Sequence, residues 1–292
     1  MSTVEHRYLT INNIRMHCAV AGDGQLVLLL HGFPEFWYSW RHQIAALAPH
    51  VFVAAPDQRG YNETDRPGWG YSIDVLVADV LELIAALGYE RATLVGHDWG
   101  GAVAWATAIT APHRIERLAI LNTPHPAVFM KHLRNNPRQM RRSSYMGFFV
   151  LPFLPELALR ANDYALIERV LQPADPHNPN FDRGAIAHFK DAISKPGALT
   201  ATLNWYRAAA RQGGGGLFSG TGMRVKMPTL LIWGEKDPFL GVEMAADAGA
   251  YCDNLTIERI PGVGHWVQQE APDRVSRLLR QFIQTPVSTI RP

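Results

Sequence analysis

The chain has 292 residues, 47% of them hydrophobic, with a formal net charge of +2 and two cysteines. That is enough apolar material for one large core, or a core carrying an inserted lid. The near-neutral balance offers no global attraction to nucleic acid or an anionic membrane, and two cysteines make no disulfide framework.

The N-terminus lacks the apolar stretch of a signal peptide, and no apolar run approaches the roughly 18–20 residues that span a bilayer. A cytoplasmic protein without a membrane span is expected, as a monomer or homodimer. The first predicted elements are two short strands, Tyr8 to Ile11 and Ile14 to Val20, joined at Asn12-Asn13 as a hairpin. The pattern then changes to continuous apolar runs: Leu26 to Leu30, Val51 to Ala55, Ala92 to Val95, Leu118 to Leu121 and Thr229 to Trp233. Unbroken hydrophobicity suits strands buried on both faces, as in a parallel sheet. Between them lie helical patterns, clearest at Ile73, Leu76, Val77, Val80, Leu81, Ile84 and Leu87. Leu255 to Ile260 alternates more and reads as a last strand nearer the sheet edge. The predicted class is α/β, a mostly parallel central sheet with helices on both faces.

The strand-helix alternation stops near residue 128 and resumes near 223. The segment between has no strand-like runs and is broken by Pro152, Pro155, Pro173 and Pro196. It reads as a helical cap over 129–222, inserted between core segments 1–128 and 223–292, with Gly213 to Gly216 as a flexible return. The basic run from Lys131 to Arg142 reads as a solvated helical face.

The stretch Leu94-Val-Gly-His-Asp-Trp-Gly-Gly101 carries the first chemical signal. A short strand, a small-x-nucleophile-x-small turn and a helix make a nucleophile elbow, with Asp98 where serine is usual. By itself Asp98 also fits an N-cap aspartate. His265, in Gly-Val-Gly-His-Trp after the last strand, alone fits a loop histidine. Asp237, after the preceding strand, alone fits a turn aspartate before proline. Together they follow the order nucleophile, acid, histidine, each just past a strand's carboxyl end, which is the order of α/β-hydrolase triads. His31-Gly-Phe-Pro34 follows the first long buried strand, where that fold puts one oxyanion-hole N–H. The second comes from the residue after the nucleophile, so Phe33 and Trp99 are the expected donors.

Aspartate in place of serine changes the chemistry. A carboxylate is already anionic at neutral pH and suits displacement at a saturated carbon, which offers no carbonyl. The resulting alkyl ester has its carbonyl on the enzyme, where water can hydrolyse it. An epoxide or a haloalkane provides such a carbon.

The chain resembles the α/β-hydrolase-fold epoxide hydrolases over nearly its whole length. The motifs that carry the likeness are His31-Gly-Phe-Pro-Glu-Phe-Trp-Tyr-Ser-Trp-Arg41, Gly96-His-Asp-Trp-Gly-Gly101, Asn122-Thr-Pro-His-Pro126 and Leu203-Asn-Trp-Tyr-Arg207. The resemblance implies two cap tyrosines that hydrogen-bond the epoxide oxygen; Tyr206 and Tyr145 match those positions. His31, Pro34, Trp205 and Trp266, in or beside the motifs, are expected at the substrate. The implied function is hydrolysis of a small-molecule epoxide to a vicinal diol through an ester on Asp98, with His265 and Asp237 activating water. Two alternatives stand beside it: a haloalkane or haloacetate dehalogenase with the same aspartate nucleophile, and a non-catalytic ligand receptor on a hydrolase fold. Fluoroacetate dehalogenases carry a His-Trp pair about where this chain has Ser144-Tyr145. A second dehalogenase type keeps its acid where this chain has Asn122. Family members often read Arg-Gly-Tyr-Gly-x-Ser where this chain has Arg59-Gly-Tyr-Asn62-Glu-Thr64, and asparagine tolerates the positive φ such a turn needs. No metal-binding, Walker or dinucleotide motif is present, and no metal or cofactor is expected.

Overall fold

Eight strands form one sheet in the order β1-β2-β4-β3-β5-β6-β7-β8. The structure is a computed structural model that describes residues 3–213 and 223–285. The strands are β1 Glu5–Ile11, β2 Ile14–Ala21, β3 Leu26–Leu30, β4 Phe52–Pro56, β5 Ala92–His97, β6 Ile115–Leu121, β7 Thr229–Gly234 and β8 Leu255–Ile260. β2 runs antiparallel to β1 and β4, and every other pairing is parallel. Asn12 and Asn13, both at positive φ, make the tight turn between β1 and β2.

Continuous apolar runs work here because each strand feeds two cores. Leu26, Leu28, Leu30, Leu94, Leu118, Ile120, Leu231 and Trp233 point into one layer. Val27, Leu29, Val53, Val95, Ala119, Leu121, Leu230 and Ile232 point into the other. Side chains alternate along a strand, so burial on both faces favours an apolar residue at most positions, with Thr93 and Thr229 as buried polar exceptions. β8 borders the sheet and keeps a partly exposed face.

Helices α1 Arg41–Leu47, α2 Ile73–Ala86 and α3 Trp99–Thr110 link the strands up to β6. In α2 the buried face differs from the expected stripe: Leu83 is buried, whereas Leu81 is half-buried. Between β6 and β7 the chain forms α4 Pro126–Asn135, α5 Pro137–Arg142, α6 Ser144–Phe149, α7 Leu154–Val170, α8 Ala185–Ser194 and α9 Ala198–Arg211. Pro152 and Pro173 fall between helices, and Pro155 lies in the first turn of α7, where a missing N–H is harmless. Gly214 to Gly216, most of the expected return, lies outside the described residues. Then come α10 Glu243–Asp247, α11 Val267–Glu270 and α12 Pro272–Gln284. Among the described residues no helix is long and apolar enough to cross a membrane. Cys18 and Cys252 are buried and unpaired.

Strand order reverses between β3 and β5: the chain goes from β3 outward to β4, then returns to β3's other side. Loops diverge at such a switch point and leave a crevice at the strands' carboxyl ends. Two motifs meet there, His31 to Pro34 after β3 and Asp98 after β5. Asn62, in the departing family motif, takes φ 41° and donates its side-chain amide to Asp57 at 2.8 Å, so the turn forms without glycine.

α3 approaches β3 as closely as it does because residue 100 has no side chain. A Cβ on Gly100 would stand 2.2 Å from the Leu30 carbonyl oxygen. Gly100→Ala should therefore lower unfolding stability by about 3 kcal/mol or more, since backbone on both sides must move. Urea denaturation reads it, and a midpoint equal to wild type would contradict this packing.

Candidate active site

β5 delivers the chain to Asp98, and α3 begins at the next residue. So sharp a change of direction holds Asp98 at φ 51° and ψ −123°, a conformation that non-glycine residues seldom adopt. A Cβ on Gly96 would lie 2.5 Å from the Gly100 carbonyl oxygen, so the turn also closes only over glycine. The result lifts a carboxylate into the crevice with its two oxygens in different surroundings.

Asp98 Oδ1 accepts the peptide N–H of Phe33 at 2.8 Å. The Trp99 N–H also favours the ionised carboxyl. Asp98 Oδ2 faces His265, whose Nε2 lies 3.7 Å away. That distance is an ion-pair approach rather than a hydrogen bond. On its other side His265 donates from Nδ1 to Asp237 Oδ2 at 2.7 Å. Asp237 is itself saturated with donors. It accepts the N–H groups of Phe239 (2.7 Å) and Leu240 (2.9 Å) and the Asn122 side-chain amide (2.7 Å).

The electrostatics follow from this geometry. Burial disfavours charge on His265, but Asp237 and Asp98 outweigh it and push the imidazole pKa up to about 10. Burial likewise opposes charge on Asp98, yet the facing His265, with His97 and the Trp99 N–H, holds its carboxyl below the usual range. The resting site is an ion pair: carboxylate beside imidazolium beside carboxylate.

A cavity of about 360 Å³ opens over Asp98, lined by Trp99, Tyr145 and Tyr206 and by apolar side chains such as Phe129, Met146 and Leu240. Tyr145 comes from α6 and Tyr206 from α9, with ring centroids 6.4 Å apart. Tyr206 also packs edge-on against Trp99 at 5.0 Å and Phe33 at 5.7 Å. Burial raises both phenol pKa values, reinforced by Asp98 for each. Both hydroxyls are therefore protonated donors at neutral pH. Among the described residues, no group of three or more His, Cys, Asp or Glu could hold a metal ion.

The fold thus brings Asp98, Trp99, Tyr145 and Tyr206 to one cavity, with His265 and Asp237 in line behind the Asp98 carboxylate and the Phe33 N–H upon it. His31, Pro34, Trp205 and Trp266, the four residues expected at the substrate, do not line this cavity. His31 is fully buried; its Nε2 accepts the Gln58 N–H at 3.1 Å and its Nδ1 lies 3.0 Å from the Gly32 carbonyl. Pro34 is buried in the same turn. Trp205 donates its indole N–H to the Arg59 carbonyl at 3.0 Å, and Trp266 to the Val170 carbonyl at 3.0 Å. Each ring or turn braces the loops rather than the cavity, since a buried polar group must find its partner locally.

Beneath these residues lies a second polar layer that no local pattern in the sequence marks. His97 Nε2 lies 2.9 Å from the His265 carbonyl oxygen, and His97 Nδ1 lies 3.0 Å from Glu35 Oε2. Glu35 also accepts the side-chain amides of Gln269 (2.6 Å) and Gln268 (3.2 Å). Asn122, noted only for what it lacks, takes φ 45° and binds Asp237 and the Gly234 N–H. The polar residues of those motifs were the available signal, but their partners lie far along the chain.

A family profile described as alpha/beta hydrolase fold matches residues 25–272. The chain is 39% identical over 289 residues to the AB hydrolase superfamily protein YfhM of Bacillus subtilis, covering 97% of this chain and 99% of that one. It is 38% identical over 298 residues to human epoxide hydrolase 4, covering 96% and 79% respectively. Among solved structures, a Bacillus megaterium epoxide hydrolase in complex with an inhibitor superposes with a TM-score of 0.88 at 30% identity, covering 96% of this chain and 100% of that chain.

The charge arrangement is testable by itself. Asp98→Asn removes one of the two carboxylates that favour the imidazolium, so the His265 pKa should fall from its resting value of about 10. An NMR titration of histidine ring signals reads the change. A His265 pKa that does not move would mean that Asp98 contributes nothing to it.

Proposed function

The chain belongs to the epoxide hydrolases of the α/β-hydrolase family, and from that we propose that it hydrolyses an epoxide to a vicinal diol through an ester on Asp98. The observation that carries this reading is a carboxylate, not a hydroxyl, at the elbow, with a histidine 3.7 Å behind it and two phenols in the same cavity. Helices α4 to α9 serve as the cap over the core on either side of them in the chain, since α6 and α9 contribute both phenols.

In the first step Asp98 attacks one ring carbon and the carbon–oxygen bond breaks. Oδ1 is occupied by the Phe33 N–H, so Oδ2 is the attacking atom. The departing oxygen stays attached to the substrate and develops negative charge. Tyr145 and Tyr206 stabilise that charge, and one of them donates its proton. A halide would need no such donor. The phenolate formed takes a proton back from solvent water, a charge later balanced by the proton that His265 gives up.

Esterification neutralises Asp98. His265 loses one of the two charges that hold it protonated, and its pKa falls toward the range where it serves as a base. The proton passes to solvent, replacing the one taken by the phenolate, and neutral His265 takes a proton from water as the hydroxide adds to Cγ of Asp98. The oxyanion forms on Oδ1, where the N–H groups of Phe33 and Trp99 already point. As this intermediate collapses, the bond from Cγ to Oδ2 breaks, the departing Oδ2 takes the proton of the added hydroxyl, and the diol leaves with Oδ2 while the carboxylate is restored with the water's oxygen in it. Asp237 keeps the imidazole in the tautomer that presents Nε2 and stabilises its charged form. The apolar lining keeps bulk water from competing.

Removing the base separates the two steps. His265→Gln should still be alkylated by styrene oxide and should strand the ester. Intact-protein mass spectrometry should find an adduct of the whole epoxide mass, mapped by peptide digestion to Leu94 to Gly101. A haloalkane or haloacetate adduct, lighter by hydrogen halide, found alone would make the protein a dehalogenase. Ligand binding with no adduct of either kind would leave a receptor.

The phenols give a second test. Tyr145→Phe and Tyr206→Phe should each slow alkylation, by up to about 10²–10³-fold for the dominant donor and less where its partner substitutes. Single-turnover kinetics separate this step from ester hydrolysis. Two silent substitutions would remove the phenols from the mechanism.

A further inference from the structure

His265 sits on a turn, Gly262 to Trp266, that leaves β8 and carries no regular structure before α11. Asp237 fixes its ring only at Nδ1. The backbone on both sides of it needs its own anchor. Glu270, at the end of α11, folds back beneath the turn and supplies one. Its Oε2 accepts the Gly264 N–H at 3.0 Å and its Oε1 the Trp266 N–H at 3.2 Å. The N–H groups of the two residues flanking His265 thus end on one carboxylate. Gly264 permits the approach: a Cβ there would lie 2.9 Å from Glu270 Oε1 and equally close to the Ala174 side chain.

The same carboxylate reaches a third donor. Oε2 also accepts the N–H of Ala174, in the stretch between α7 and α8, at 3.0 Å. Two more bonds cross that seam. Trp266 Nε1 donates to the Val170 carbonyl at 3.0 Å, and the Asn178 side-chain amide donates to the Glu270 carbonyl at 2.9 Å. Glu270 is 1% exposed, and burial pushes its pKa up against the pull of the three N–H groups and His265. A carboxyl kept in so dry a place costs free energy, which its multiple donors must offset. A turn that needed only to fold could satisfy two N–H groups more cheaply with neutral acceptors.

We infer that Glu270 is a positioning residue for His265, holding the base in register with Asp98 and making that register depend on the seating of residues 170–178 against the core. The inference rests on the reading of His265 as the base for ester hydrolysis. It assigns Glu270 no contact with substrate. Its effect therefore falls on the second half-reaction, whose water must be aligned by His265, and spares the first, which uses Asp98 and the phenols.

Glu270→Gln keeps the size of the side chain but turns an NH2 group toward at least one of the three N–H donors. With styrene oxide in rapid-mixing experiments, ester hydrolysis should slow by about 10–100-fold and alkylation should stay within about threefold of wild type, because a small misalignment is felt only at the step His265 serves. The ester should then accumulate at steady state in intact-protein mass spectra. Thermal unfolding of the same sample gives the folded fraction. Both rate constants unchanged, or both lowered together in proportion to lost folded protein, would overturn the inference. If Glu270→Gln does not fold, Ala174→Pro removes the N–H of the far segment while leaving the Glu270 carboxylate in place, and should shift the same partition in the same direction; an unshifted partition there overturns it too. His265→Gln run alongside keeps the two readings apart: failure to trap its ester sinks the assignment of the base, whereas trapping with a wild-type partition in the Glu270 variant sinks only the positioning role.

Discussion

Asp98 and Asp237 lie on opposite sides of His265, at 3.7 and 2.7 Å, and the imidazole between them is only 4% exposed. Two negative charges and one positive charge in so little water are stable only if each remaining lone pair is met by a donor. The surroundings answer that need. Asp237 has two backbone N–H groups and the Asn122 amide, and Asp98 has the Phe33 N–H. Four loops, after β3, β5, β6 and β7, are drawn to one point by these bonds, and the loop after β8 brings the histidine.

The arrangement gives the proposed two-step reaction a built-in order. As long as Asp98 is ionised, its charge helps keep His265 protonated, so the base is switched off while the nucleophile is on. Ester formation cancels the charge of Asp98 and releases the proton of His265. The 3.7 Å separation is too long for a hydrogen bond that would hold Oδ2 to the imidazole.

The helical segment between β6 and β7 answers a different requirement. Asp98 opens into a cavity whose facing wall comes from that segment, through Tyr145, Met146 and Tyr206. Helices α6 and α9 bring a largely apolar cover whose polar groups include the two phenols. Arg207, next to Tyr206, forks onto Glu156 with two contacts of 2.9 Å and donates to the Leu151 carbonyl at 2.8 Å. That buried fork ties α9 to the start of α7, so Tyr206 sits on a braced helix rather than a mobile lid.

The sequence by itself determined the strands, their burial on both faces, the elbow and the order of Asp98, Asp237 and His265. These features have local causes: side-chain alternation, the size of glycine in a tight turn, and the type of residue after each strand. Asn62 at positive φ belongs with them, because one residue's backbone preference decides it. What only the tertiary structure decided was which polar residues face the cavity and which face each other. His31, Trp205 and Trp266 sit in or beside the motifs yet turn to backbone partners, while Asn122, Glu35 and Glu270 support the site. Leu83 replaced Leu81 in the core of α2 for a similar reason, since neighbouring elements choose the buried face. Each of these outcomes depends on a donor or acceptor tens to hundreds of residues away, such as His97 with the carbonyl of His265. Spacing along the chain fixes what a segment prefers alone, but satisfaction of buried polar groups is settled only when the segments meet.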